Sequence, residues 1–204
     1  MFIIGITGGT ASGKTTIVKK LTANFNSNDI CVISQDSYYK RTYNLTIEER
    51  INQNFDHPDA LDLHLLQFHL ETLKSNHSIE MPIYSFSIHN RLLGTQTIKP
   101  KKIIIVEGIL IFNHKRLLDL FDLKIFIHAD ADERLLRRIH RDTNERERDI
   151  KEVTYRYRTT LKPMHNIFIE PFKKISDYIF NNTDLENTIV KDLTNIIQER
   201  IQTK

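Results

Sequence analysis

Five short apolar runs punctuate the chain, at residues 2–7, 30–34, 103–106, 123–128 and 178–180. Each is rich in Ile, Val or Phe, as a strand buried on both faces tends to be. Between them apolar residues recur at helical spacing, predicting helices over 15–25, 61–73, 132–141, roughly 150–168 and near 185–202. Strands alternating with helices predict an α/β fold: a parallel sheet of about five strands with helices on both faces. Segment 76–100 breaks the rhythm. Pro82, Gly94 and the alternation of Ile83, Tyr84, Ser85 and Phe86 predict a small β-hairpin that leaves the sheet.

In parallel sheets ligands gather at the carboxyl ends of the strands, so the residues after each run matter most. After the first comes GGTASGKTT, residues 8–16. Gly8, Gly13, Lys14 and Thr15 fit G-x-x-x-x-G-K-[ST], between a strand and a helix as a phosphate-binding P-loop requires. The backbone of Gly8, Gly9, Thr10, Ala11, Ser12 and Gly13, with Lys14, Thr15 and Thr16, is the candidate ATP site. Its N–H groups and the helix N-terminus favour phosphate oxygens. Lys14 would act on the β/γ-phosphates, and the Thr15 hydroxyl would ligate Mg²⁺. A glycine-rich turn without ligand is the alternative, and the ordered strand and helix weigh against it.

The loop says that phosphate is held but not where it goes. No Asn-Lys-x-Asp or Asp-x-x-Gly segment of a GTPase is present, nor a Leu-Ser-Gly-Gly of a transporter ATPase. A kinase needs an acid near the acceptor, a second acid for Mg²⁺, and cations over the transferring group. Asp36 follows the second run and is a candidate base, although Asp-Ser is also common in turns. Glu107 ends the third run, where an acid approaches Mg²⁺. Residues 130–149, DADERLLRRIHRDTNERERD, hold six arginines and no lysine, in a chain of 16 Lys and 13 Arg. Arg grips phosphate or a diol with a planar fork, which Lys cannot do. Some of these arginines are expected to pair with acids one helical turn away, and two or three to act as a lid.

Composition narrows the class further. At 204 residues the chain is long enough for one domain with a real core, expected to span 1–204. No run is long enough for a secretion signal or a membrane span, so a cytoplasmic protein without a membrane partner is expected. A net charge of +3, with bases interleaved by acids, points away from nucleic acid. The single cysteine, Cys31, lies in an apolar run and is expected to pack rather than react.

Seven stretches carry a more specific signal: GITGGTASGKTT (5–16), QDSYYK (35–40), NFDHPDALD (54–62), PIYSFSIHNR (82–91), VEGIL (106–110), RRIHRDTNERERD (137–149) and KPMHNIFIEPFKKISDYI (162–179). Together they resemble the uridine kinase (uridine/cytidine kinase) family of P-loop nucleoside kinases, along essentially the whole chain. The resemblance implies γ-phosphate transfer from ATP or GTP, with Mg²⁺ on Thr15 and Glu107, to the 5′-hydroxyl of uridine or cytidine. It implies that Asp36 is the base, that Asp56 and Arg148 hold the ribose hydroxyls, and that Tyr84 and His89 hydrogen-bond the pyrimidine. Phe55 and Phe86 would enclose the ring, Arg138 would sit on the substrate side, and Arg141 near the donor phosphates. The region Asn181–Asp184 would lie by the adenine, and relatives are tetramers. Ser85 and Arg156 depart from the family pattern, which often has Asp and Gln there, so the resemblance leaves uridine against cytidine open. The other reading is a related P-loop kinase acting on a phosphosugar or pantothenate-like alcohol, against which Tyr84 and His89 argue.

Overall fold

A computed structural model describes residues 1–184 and 188–202. In chain order the elements are β1 (Phe2–Thr7), α1 (Lys14–Thr22), β2 (Ile30–Ser34), α2 (Ile47–Ile51), α3 (Leu63–Lys74), β3 (Ile79–Ser85), β4 (Asn90–Ile98) and β5 (Ile103–Glu107). They continue with α4 (Lys115–Leu118), β6 (Leu123–His128), α5 (Ala131–Asn144), α6 (Ile150–Arg156), α7 (Lys162–Phe168), β7 (Tyr178–Asn181) and α8 (Ile189–Gln202). The five apolar runs form one parallel sheet in the order β2-β5-β1-β6-β7.

The alternation of side chains along these strands divides the core into two layers. On β1 and β5, Ile3, Ile104 and Val106 face a cluster completed by Leu66, Leu70 and Leu73 of α3. Phe2, Ile4, Ile6, Ile103 and Ile105 face the other cluster, which holds Ile17 and Leu21 of α1 and Leu193 and Ile197 of α8. Both faces are therefore dry, which is why the strands read as unbroken apolar runs rather than as alternation. β1 lies in the middle of the sheet, and the loop that follows it emerges at its centre.

Two helix boundaries differ from expectation for a clear local reason. α1 stops at Thr22 rather than at residue 25; Asn24, Asn26, Ser27 and Asn28 follow, and such side chains compete for the backbone. α3 starts at Leu63 because the Asp62 carboxylate accepts from Leu65 N at 3.1 Å. The helix expected over 150–168 is continuous but widens into a π-turn at Tyr157–Leu161. That turn precedes Pro163, whose ring would meet the Thr159 carbonyl in a regular α-helix. For the helix expected near 185–202, α8 is described from Ile189, and residues 185–187 lie outside the described residues. The short α2 was not foreseen, although Thr46 and Glu49 form a full capping box.

β3 and β4 pair antiparallel as a separate two-stranded sheet, the hairpin expected within 76–100. Its root is held by side chains. Arg91 donates to the carbonyls of Tyr38 and Tyr39 and faces Asp62 at 3.6 Å, while Asn90 exchanges two hydrogen bonds with the backbone of Thr42. Cys31 is half-buried on β2, and burial pushes its thiol up to about 11, so it is not a reactive thiolate at neutral pH.

Candidate active site

The loop after β1 closes on itself around Lys14. Gly13 stands at φ +88, a left-handed position, and a Cβ there would lie 2.3 Å from the Asn182 side chain. Only glycine satisfies both conditions. Lys14 is buried and donates to the carbonyls of Gly8 and Gly9, each at 2.9 Å. Burial lowers its pKa to about 8, against the opposing pull of Glu107 and Asp36. The ammonium thus sits beneath the loop, with two carboxylates near it.

Those carboxylates come from adjacent strands. β2 and β5 pair in parallel register with Ser34 opposite Glu107. The Ser34 hydroxyl donates to Glu107 Oε1 at 3.0 Å and accepts from Asp36 N at 3.3 Å, so one small side chain sets the spacing of both acids. Gln35 is wholly buried beside them, and its Oε1 accepts from Leu110 N at 2.6 Å. Gly108 must be glycine for this packing, since a Cβ there would fall 2.3 Å from that of Gln35. Asp36 lies in a 3₁₀ turn, Gln35–Tyr38. Burial and then the nearby Glu107 raise its pKa to about 6, while Lys14 and Arg146 pull it down. A carboxylate so placed is ionised at neutral pH yet basic enough to take a proton.

A cleft of about 650 Å³ opens from this point. At one end it is lined by Thr10, Ala11, Gly13, Lys14, Thr15, Thr16 and Glu107. At the other it meets a run of aromatic contacts. Tyr84 packs on Phe86 at 5.3 Å and on Tyr39 at 5.1 Å between centroids, and Phe55 on Tyr39 at 5.2 Å and His89 at 5.6 Å. The Tyr84 hydroxyl is buried without a hydrogen-bond partner among the described residues. His89 is held below the ordinary imidazole value by burial and by Arg148, Arg156 and Arg146, and is neutral at physiological pH. Asp56 is pushed up by burial and restrained by Arg138, Arg156 and Arg141.

The arginine-rich segment forms α5 and the turn beyond it, and its arginines divide by role. Arg138, Arg141, Arg146 and Arg148 line the cleft. Arg138 donates to Thr10 Oγ1 at 2.8 Å, so it reaches the phosphate loop as well as Asp56. Arg146 lies over the Phe86 ring at 5.9 Å. Arg137 lines the cleft too, but its fork is committed to the carbonyls of Asn182 and Thr183, at 2.9 and 2.8 Å. Asn182 in turn donates to Ser12 O at 2.8 Å, which sets the region Asn181–Asp184 against the P-loop. Arg134 is buried behind Gly9, bonded to Ala129 O at 3.0 Å and facing His165 at 3.3 Å.

Lys14, Thr15, Asp36, Phe55, Asp56, Tyr84, Phe86, His89, Glu107, Arg138 and Arg148, singled out in the sequence as catalytic, substrate-binding or metal-binding, line this one cleft, as do Thr10, Ala11, Gly13, Thr16 and Arg141 of the expected ATP site; Gly8, Gly9 and Ser12 of that site are buried and do not line it. The sequence reading passed over Tyr39, Ser34 and Gln35. Tyr39 sits inside the quoted QDSYYK stretch, and an aromatic three positions after a candidate base was the available signal. Ser34 and Gln35 carried none, because their roles depend on the β2–β5 register. Arg156 also lines the cleft, donating to Ile51 O at 2.9 Å and Gln53 O at 3.3 Å. It braces the segment leading to Phe55 and Asp56.

A parallel sheet with a P-loop after its central strand, two acids at neighbouring strand ends and an arginine-rich helix along the cleft defines a P-loop small-molecule kinase. Comparison with known proteins agrees. The sequence matches the Phosphoribulokinase / Uridine kinase family over residues 3–189, and the chain belongs to that family. It is 51% identical over 176 residues to a uridine kinase of Clostridium perfringens, covering 86% of this chain and 85% of that one. It is 43% identical over 200 residues to a uridine kinase of Clostridium tetani, covering 98% and 96%. Among solved structures, a putative fructose transport system kinase from Silicibacter sp. TM1040 superposes with a TM-score of 0.70 at 17% identity, covering 88% and 89%. A possible uridine kinase from Bacillus stearothermophilus gives 0.59 at 17% identity, with 88% of each chain covered, and these likenesses show the fold.

Proposed function

We propose that the chain transfers the γ-phosphate of ATP or GTP to the 5′-hydroxyl of uridine or cytidine, giving UMP or CMP. The observation that carries this reading is one cleft with a phosphate loop at one end and, at the other, an acid beside aromatic and polar side chains on a separate hairpin. The family and the named relatives support the same reaction.

In this reading the P-loop N–H groups and Lys14 hold the β- and γ-phosphates, and Arg138 and Arg141 cover the transferring group. Asp36 accepts the proton of the 5′-hydroxyl as its oxygen attacks phosphorus in line with the departing diphosphate oxygen. Asp56 and Arg148 hold the ribose diol. Tyr84 and His89 meet the pyrimidine edge between Phe55 and Phe86; the unpartnered Tyr84 hydroxyl and the neutral imidazole both suit that role. Tyr39 joins the aromatic wall.

The donor set suits Mg²⁺. No group of three or more His, Cys, Asp or Glu stands ready to hold a metal among the described residues. Mg²⁺ in kinase sites takes one or two protein oxygens, and the rest from phosphates and water. The Thr15 hydroxyl and Glu107 would hold it, and it would neutralise charge on the phosphates.

We propose further that residues 1–204 form a single kinase domain with 76–100 as nucleoside hairpin and 130–150 as lid, and that it works in the cytoplasm as a homotetramer. No helix among the described residues is long and apolar enough to cross a membrane. The test of function is a coupled nucleoside-diphosphate-release assay with ATP and Mg²⁺ against uridine, cytidine, adenosine, thymidine and pantothenate. Turnover of uridine or cytidine is expected; turnover of pantothenate alone would overturn the reading.

A further inference from the structure

The lid contains a carboxylate that the reaction does not use. Asp142 lies near the end of α5 and is wholly buried, with no exposed surface. Three guanidiniums surround it: Arg138 Nε at 3.1 Å from Oδ2, Arg141 Nε at 3.0 Å from Oδ1, and Arg146 NH1 at 3.4 Å from Oδ1. Its own backbone carbonyl accepts from Arg148 N at 3.0 Å. All four arginines line the cleft, and Asp142 does not.

An acid that merely stitches a surface helix stays solvated, as Glu133 does against Arg137 and Glu152 against Arg148 and Arg156. Asp142 is buried instead, and it meets three bases. Burying a carboxylate is costly unless it is well paired, so enclosing one among three cations calls for a reason beyond helix stability. The geometry supplies one. Asp142 Oδ1 accepts from Arg141 Nε, while Arg138 Nε faces Oδ2 as an ion pair without hydrogen-bond geometry, and the terminal nitrogens of both forks remain for other partners. One of those, Arg138 NH1, already reaches Thr10 of the phosphate loop, and Arg146 reaches across to Phe86 of the hairpin. A single carboxylate thus gathers cations that point to both ends of the cleft. It also offsets part of the mutual repulsion of three guanidiniums held close together.

We propose that Asp142 is the positioning residue of the lid, orienting Arg138, Arg141 and Arg146 toward the phosphates of the bound donor. It rests on the kinase reading of the cleft, and acts through the arginines without touching substrate.

The test is a double-mutant cycle of Asp142→Asn and Arg141→Ala, read by titration calorimetry with Mg²⁺ and a non-hydrolysable ATP analogue, alongside turnover of uridine. Asp142→Asn should weaken analogue binding by roughly tenfold, about 1.4 kcal/mol. Added to Arg141→Ala, the same change should cost clearly less than its full tenfold, because one of the three groups it acts through is gone. Multiplicative losses, or an Asp142→Asn protein that binds within twofold of wild type, would overturn the proposal. Asp142→Glu serves if the Asn variant does not fold. It keeps the charge but moves the carboxylate by one methylene, so binding should still weaken, and wild-type affinity in the folded Glu variant would equally overturn it. A wild type that binds the analogue yet leaves uridine and cytidine untouched would refute the nucleoside assignment instead, and the cycle would still decide the role of Asp142.

Discussion

Changing pH should switch Asp36 and Lys14 in opposite senses, and the profile of kcat/KM for uridine should show both. Asp36 is raised to about 6, first by burial and then by Glu107, and must be ionised to take a proton. Activity therefore rises with pH through that value: about one molecule in eleven carries the base at pH 5, and about ten in eleven at pH 7, a gain of roughly tenfold. Lys14 is lowered to about 8 by burial and acts only while protonated, so activity falls again as pH passes that value. A bell with limbs near 6 and 8 follows, since kcat/KM reports groups of the free enzyme. Asp36→Asn should remove the acidic limb and lower kcat by 10²–10⁴-fold at pH 7, about 3–5 kcal/mol, because an amide can orient the hydroxyl but not take its proton. The assay is steady-state release of nucleoside diphosphate from pH 5 to 9, with uridine varied and MgATP held well below its own KM so that the unliganded enzyme is the form that titrates. An acidic limb that survives in Asp36→Asn would assign it to another group, Asp56 and His89 of the same cleft being the candidates. A variant that changes only KM would make Asp36 a binding residue.

Lys14→Ala should abolish phosphoryl transfer without loss of the folded state, measured by turnover beside circular dichroism, since Lys14 acts on charge at the β/γ-phosphates. If Asp56 and Arg148 hold the ribose diol, 2′-deoxyuridine leaves charged groups partly unpaired at a cost of about 1–3 kcal/mol, so its kcat/KM should fall at least roughly tenfold below that of uridine. Asp56→Ala should erase most of that preference, and an unchanged preference would leave Asp56 a turn residue. Gly108→Ala forces a Cβ to within 2.3 Å of Gln35; overpacking of this kind costs about 1–3 kcal/mol, and thermal melting should drop by several degrees.

How much of this could be read from the residues depends on the range of the forces that decide each part. Strands buried on both faces announce themselves locally, so β1 and β5 were visible as apolar runs; β2, β6 and the edge strand β7, where Ile179 is half-exposed, are less buried but keep the same apolar residue types. The P-loop was visible because glycine at φ +88 and a buried lysine leave a fixed spacing. The capping box of α2 was legible but went unread, a Thr46-x-x-Glu49 that the five-residue helix needs for its first turn. Other features were out of reach. Ser34 and Glu107 are 73 residues apart, and only the strand register makes the serine a bridge between two acids. Asp142 is one of seven acids between residues 130 and 149, and nothing in its neighbours separates the enclosed carboxylate from those that face water. Likewise, Arg137 and Arg138 are adjacent in sequence; where each fork ends, on Asn182 and Thr183 or on Thr10, is decided by packing alone.

The hairpin formed by β3 and β4 shares no backbone ladder with the main sheet and is fastened at its root by side chains such as Arg91 and Asn90. Tyr84, Phe86 and His89 all ride on it. If these three side chains inspect the acceptor as proposed, that part of the acceptor surface is separable from the sheet that carries the P-loop, while Phe55, Asp56 and Arg148 stay with the main body. Drift or redesign in residues 83–89 can rewrite what the enzyme accepts while the ladder of β2, β5, β1, β6 and β7 stays as it is. A lineage built this way can explore new acceptors by editing an exchangeable cassette, without putting its phosphate chemistry at risk.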